Sequence, residues 1–290
     1  MRLVIGLILA LITPIVASGP AAAQPKLLWE TKGLANPESV VQDPLTGALY
    51  VSNVNGAVMQ KDGNGFISKL SPEGKITVRE WVKGLNGPAG LALHDRTLYV
   101  GDIDELVAIN VASGEIVKRY PAKGALFLND VAAAPDGTIY VSDTPTNTIW
   151  RLKDGVFEPW LMSDELNGPN GLLVQGDKLI VASFGKLASE GQKEEKAAML
   201  SVNIEDKKIT KFGDGSPIGN LDGLESLVPG VYLVSDWNAG ALYRIDAKGK
   251  ATVLIDLNQG SADQTYLPDK KTVIIPMMLD STLIAYQLDD

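Results

Sequence analysis

The chain has 290 residues, 45% of them hydrophobic, with 26 basic and 35 acidic side chains, a formal net charge of −9 and no cysteine. That acidity excludes the basic footprint a nucleic-acid partner or an anionic lipid surface requires. The absence of cysteine excludes a disulfide framework, so the fold must rest on its own apolar core.

Residues 1–23 open with the positive pair Met1-Arg2, followed by the apolar run Leu3 to Ala17, which Pro14 interrupts. Small residues Ala21-Ala22-Ala23 then precede Gln24. This is the pattern of a secretory signal peptide, with an apolar run too short to span a membrane. The expectation is an exported (periplasmic or secreted) mature chain whose residues 24–290 form a single domain with no membrane span.

From there a repeat organises the sequence. "NPESVVQDPLTGALYVSN", "GPAGLALHDRTLYVGD", "LNDVAAAPDGTIYVSD", "GPNGLLVQGDKLIVAS", "LDGLESLVPGVYLVSD" and "ADQTYLPDKKTVIIPM" follow one another in order. Each is an apolar strand, a turn rich in Asp, Gly or Pro, and a second strand of the LYV type. The second strands begin near Leu49, Leu98, Ile139, Leu179, Val231 and Val273, at spacings of 49, 41, 40, 52 and 42 residues. A third strand follows, often with a fourth. Such a unit cannot bury both faces of its sheet alone, so the units must pack around an axis. The reading is an all-β, six-bladed β-propeller with four antiparallel strands per blade. The last unit lacks a clear fourth strand, and "KLLWE" at residues 26–30 is placed to supply it and close the ring.

Two second-to-third connections are long: one around "NVNGAVMQKDGNG", the other over residues 184–198. Both should overhang the mouth where the first strands begin. The charged stretch within 184–198 is read as a solvated loop, with a lid over the mouth as the sharper alternative.

Aligning the units places Glu38, Ala89, Asn129, Asn170, Asp222 and Asp263 in one ring at that mouth, 9 to 11 residues before their second strands. Five carry a side-chain oxygen where neighbouring strand positions are apolar. Carboxylates and amides converging at a narrow mouth repel and lose hydration unless a cation joins them. Oxygen ligands without Cys or His suit Ca²⁺ or another hard divalent ion. The sole histidine, His94, reads as an exposed turn residue. Asp130 is expected to point away from the axis and brace a neighbouring strand.

These segments resemble the superfamily of gluconolactonase, regucalcin (senescence marker protein) and the paraoxonases. "NPESVVQDPLTGALYV" is similar to its first-blade Glu motif, "LNDVAAAPDGTIYVSDT" to its Asn-Asp strand, "GPNGLLV" to its Pro-Asn-Gly strand and "LDGLESL" to its Asp-Gly strand. The resemblance implies that Glu38, Asn170 and Asp222 hold a divalent metal, with Asn129 a further ligand or a substrate contact. It implies a lactone or ester as substrate, a metal that polarises the carbonyl, and Asp222 as base or nucleophile. Phe127 stands where the sugar-lactone branch binds substrate through arginine, and the paraoxonase histidine pair has no counterpart. A polyhydroxylated sugar acid is thereby put in question and a more apolar lactone or ester admitted. The competing expectation is a non-catalytic propeller of the NHL-repeat type that binds a protein or small ligand at the same mouth.

Overall fold

The computed structural model describes residues 24–186 and 195–288. The signal-peptide reading of residues 1–23 and the centre of the proposed lid, residues 187–194, lie outside them. Among the described residues are six four-stranded antiparallel sheets arranged as a six-bladed β-propeller. The innermost strands are Pro37–Gln42, Pro88–His94, Leu128–Ala133, Pro169–Gln175, Leu221–Val228 and the short Thr265–Leu267. No helix among the described residues is long and apolar enough to cross a membrane.

The second strand of each blade explains the LYV repeat. Leu49–Asn53 and Ile139–Asp143 are buried along their whole length. Each is covered on both sides by neighbouring blades, so its sequence reads as an unbroken apolar run rather than an alternation. The core accordingly lies between blades. Tyr50 and Ile67 of the first blade pack with Leu98 and Val107 of the second, and Ile149 of the third packs with Leu172 and Val181 of the fourth. Each large aliphatic side chain so buried contributes about 2 kcal/mol.

The ring closes as the sequence implied. Lys26–Lys32 pairs antiparallel with Thr282–Gln287, so the start of the described chain becomes the outermost strand of the sixth blade. Leu49 and Leu70 of the first blade then pack against Ile274 and Leu283 of the sixth.

A β-bulge recurs where five of the six innermost strands begin. Register shifts fall between Pro37 and Val40, Pro88 and Leu91, Leu128 and Val131, Pro169 and Leu172, and Leu221 and Leu224. A bulge interrupts the in-out alternation, so two consecutive residues are presented to the axis. Serines of the second strands hold it in three blades: Ser52, Ser142 and Ser235 Oγ accept from the N–H groups of Ser39, Asp130 and Gly223 at 2.8, 2.9 and 2.8 Å. The residue after the serine position ties down the loop entering the blade. Asp143 Oδ1 accepts from Phe127 N at 3.0 Å, and Asp102 Oδ1 accepts from Gly87 N at 2.8 Å. The Ser-Asp ending of the repeat is thus a bracing device for the channel mouth.

Glycine at the second bulge position lets the inner strands approach one another. A Cβ on Gly171 would lie 2.1 Å from the Asp222 carbonyl oxygen, and one on Gly90 would lie 2.5 Å from Asp130 Cα.

Candidate functional site at the channel mouth

The bulges divide the axis into two chambers. The outer chamber, at the mouth, has a volume of about 250 Å³ and is lined by Glu38, Asn129, Asn170 and Asp222 from four different blades. These are the four residues the sequence nominates as metal ligands, and all four are buried. Phe127 lines the same chamber, as do Val58, Thr144, Phe184, Trp237 and Met278.

The polar groups are held so that oxygen faces inward. Asn129 Nδ2 donates to Thr144 Oγ1 at 3.2 Å, and Thr144 Oγ1 donates to the Pro169 carbonyl at 2.8 Å. The Asn170 amide donates to the Asp222 carboxylate. With both amide nitrogens engaged, Asn129 Oδ1 and Asn170 Oδ1 are left buried without a partner, and so is Glu38 Oε2. A buried unpartnered acceptor costs about 1–3 kcal/mol, and three of them share one cavity.

Electrostatics repeats the message. Burial pushes the Glu38 carboxyl well above the usual carboxylate range, with Asp222, Asp263 and Asp130 adding to it. Asp222 is raised by burial and by Asp263, and the hydrogen bond from Asn170 partly offsets this. A positive charge among these oxygens would relieve both carboxylates. The donor set, two carboxylates and two amide carbonyls without sulfur or imidazole, has the chemistry of a hard divalent-cation site. Among the described residues no group of three or more His, Cys, Asp or Glu side chains is placed to hold a metal ion, so the amides are integral to this one.

Two ring positions differ from their neighbours. Ala89 fills the second blade's place with a buried methyl group. Asp263 lies one layer deeper than the alignment puts it. Its N–H donates to the Glu38 carbonyl at 2.9 Å and its Oδ2 accepts from Ser39 Oγ at 2.5 Å. Ala262 takes the mouth position, in contact with Val54 and Met278. The sixth inner strand is short and begins late, which offsets its register by one.

Asp263 belongs to the inner chamber, about 210 Å³, with Asp130, Glu225 and Gln264. Asp130 Oδ2 accepts from Leu172 N at 2.6 Å, so it does brace the next blade. It also lines this axial chamber and does not point away from the axis, because the bulge turns Asn129 and Asp130 inward together. Burial, then Asp263, raises Asp130, and burial, then Asp263, raises Glu225 to about 8. Burial raises Asp263 to about 7. His94 is the last residue of its strand, half-buried beside Asp95, and it lines neither chamber.

Both long insertions reach the mouth as expected, through Val58 and Phe184. Asn220 Nδ2 fastens the base of the second by donating to the carbonyls of Phe184 and Glu195 at 2.8 and 3.1 Å. Of the lining residues beyond the floor the sequence nominates Phe127 alone, yet it carries a signal for four others. Thr144, Phe184, Trp237 and Met278 each follow directly on the last residue of a second strand.

No model of a known protein family and no curated protein sequence matches the chain. Solved structures do. A gluconolactonase from Xanthomonas campestris is 17% identical with a TM-score of 0.66, covering 95% of this chain and 99% of its own. The calcium-binding protein regucalcin from Agrobacterium tumefaciens is 16% identical with a TM-score of 0.62, covering 92% and 94%. A virginiamycin B lyase from Staphylococcus aureus is 14% identical with a TM-score of 0.59, covering 92% and 100%. Structural neighbours of this chain are therefore gluconolactonase, regucalcin and related six-bladed propellers, and what they share with it is the fold.

Proposed function

We propose that the chain is an exported, calcium-dependent hydrolase of lactones or related esters. The observation that carries this reading is the set of three unpartnered buried oxygens, on Glu38, Asn129 and Asn170, in one chamber with Asp222. The shared fold with a gluconolactonase and a calcium-binding regucalcin supports it, and export rests on the apolar run and small residues of positions 1–23.

In this reading Glu38, Asn129, Asn170 and Asp222 hold the divalent ion through oxygen, and the bound ion would polarise the ester carbonyl. The rest is the work of the chain itself. Asp222, oriented by the Asn170 amide, takes a proton from water as the water oxygen bonds to the carbonyl carbon. The ring C–O bond then breaks, and the leaving alkoxide takes that proton back from Asp222 to give the hydroxy acid. The apolar walls keep other water away from the chamber and leave the substrate body no competing polar contact.

The test is a calorimetric titration of chelator-stripped protein with Ca²⁺, Mg²⁺, Mn²⁺ and Zn²⁺, followed by a lactone panel in a pH-stat. Binding of Ca²⁺, with turnover that Asp222→Asn lowers by about 10²–10⁴, is the expected result. Absence of binding by every ion would remove the metal. The second reading, a non-catalytic binding propeller, is favoured by one observation: no Arg, Lys or His is among the described residues lining the mouth. Ion binding without turnover of any ester would decide for it.

A further inference from the structure

The inner chamber holds more acid than the outer one and has no part in the ester chemistry. About 210 Å³ in volume, it is lined by the Asp130, Glu225 and Asp263 carboxylates and the Gln264 amide. None of its described lining residues is Lys, Arg or His. Burying carboxylates without a counter-charge is costly. Burial pushes Asp263 up to about 7, and burial, then Asp263, pushes Glu225 up to about 8.

Gln264 points to a ligand. It is 2% exposed, and its Nε2 donates to the Leu233 carbonyl at 3.1 Å, while Oε1 is buried without a partner. A Cβ placed on Gly223 would meet Gln264 Oε1 at 2.6 Å and Asp263 Oδ1 at 2.7 Å, so the two oxygens converge beside that glycine. Asp130 is committed elsewhere: Oδ1 and Oδ2 accept from Val131 N and Leu172 N, each at 2.6 Å.

The chamber is reached from the far side. Val41, Leu93 and Thr265 line both it and a groove of about 480 Å³. That groove includes Gln42, the last residue of the first inner strand, and Asp95, directly after the second. Inner strands begin at the mouth, so the groove lies on the opposite face of the propeller. Asp95 and Asp269 line it together with Lys270. Leu93, Val174 and Glu225 of the chamber are only half-buried.

The lining selects the kind of cation. No three His, Cys, Asp or Glu side chains among the described residues are placed to hold a metal ion. Apart from Thr265 the rest of the lining is aliphatic, Val41, Leu93 and Val174 included, and a hydrated metal ion gains nothing from it. An ammonium group has three N–H donors to share among Gln264, Asp263 and Glu225, and an alkyl stem gains by lying on aliphatic side chains.

We infer that the inner chamber is a second ligand site, entered from the face opposite the mouth, for a primary alkylammonium ion. Its head is held by Gln264, Asp263 and Glu225, and its stem runs out past Val41 and Leu93. The site is independent of the hydrolase reading.

The experiment is calorimetry on the full mature chain in an amine-free buffer near pH 7, with and without Ca²⁺, using straight-chain primary amines of one to six carbons. Butanol supplies a stem without charge, and tetramethylammonium a charge without N–H donors. A fully buried methylene is worth about fourfold, so affinity along a half-open stem should rise about twofold per carbon. Neither control should bind. Gln264→Met and Glu225→Gln should each weaken butylamine about tenfold or more, the loss of one charge-assisted hydrogen bond. Glu225→Gln keeps its acceptor oxygen and is the variant to read if Gln264→Met fails to fold. Asn129→Ala, in the outer chamber, should leave butylamine affinity unchanged. Absence of amine binding, equal binding of either control, or full affinity in Glu225→Gln would each overturn the inference. So would loss of butylamine affinity in Asn129→Ala, or displacement of butylamine by Ca²⁺, which would make the chamber a metal site.

Discussion

Asn129 and Asp130 are consecutive residues of one strand, yet Asn129 faces the outer chamber and Asp130 the inner one. The bulge between Leu128 and Val131 makes this possible. The two side chains therefore have separable roles, and substitution should divide them. Asn129→Ala removes one floor oxygen and should weaken Ca²⁺ binding roughly 10–100-fold in calorimetry while costing little stability. Asp130→Ala removes the acceptor for Leu172 N and should cost about 1–3 kcal/mol of stability. It should leave Ca²⁺ affinity within about threefold. Equal loss of affinity in both variants would mean that the chambers act as one.

The same bulge marks the limit of what the sequence discloses. The blades, the ring closure and four floor residues are legible, because the second strands repeat and each floor residue stands 9 to 11 residues before one of them. The bulge is not, since a strand read as strict alternation turns Asp130 away from its neighbour. Asp263 departs from the aligned ring for a related reason: the sixth inner strand starts late, and a one-residue slip moves a side chain to another layer. The wall, Phe127 apart, escapes such a reading because its residues are chemically unremarkable. Only their common place after the second strand relates Thr144, Phe184, Trp237 and Met278.

Gly171 offers a test of the close approach between inner strands. An added Cβ would meet the Asp222 carbonyl oxygen at 2.1 Å, and neither strand can yield without shifting a floor residue. Gly171→Ala should lose about 2–4 kcal/mol and with it the stabilisation by Ca²⁺ in thermal melts. Gly176→Ala is the control: its φ is +62° and nothing lies within 4 Å of the added carbon. Backbone strain alone should then cost about 1 kcal/mol, with the Ca²⁺ response intact.

Asp143 should matter to the wall without lining the chamber. Its carboxylate accepts from the N–H groups of Leu126 and Phe127 at 3.3 and 3.0 Å, and it is fully buried. Asp143→Ala leaves those groups unpaired, at about 1–3 kcal/mol, and frees the connection bearing Phe127. Thermal melts should show the loss, and hydrogen exchange should quicken at Leu126 and Phe127 while the second strands stay protected.

Glu225 gives the inner chamber a pH signature. Its carboxyl is raised to about 8 from an ordinary 4.5 by burial, then by Asp263. Between those values the folded protein holds a proton that the unfolded chain has released. Stability is fully present below pH 4.5 and falls as pH rises toward 8. Glu225→Gln cannot titrate, and its amide oxygen can still accept from Thr265 Oγ1 and Tyr266 N, which stand at 3.3 and 3.4 Å. Holding the proton across one pH unit is worth about 1.4 kcal/mol, but Glu225 keeps some solvent contact, which reduces the whole effect to roughly 2 kcal/mol. In chelator, the variant should melt with the native protein near pH 5 and several degrees above it near pH 9. A difference in melting temperature that stays constant across that range would show that Glu225 does not hold the proton.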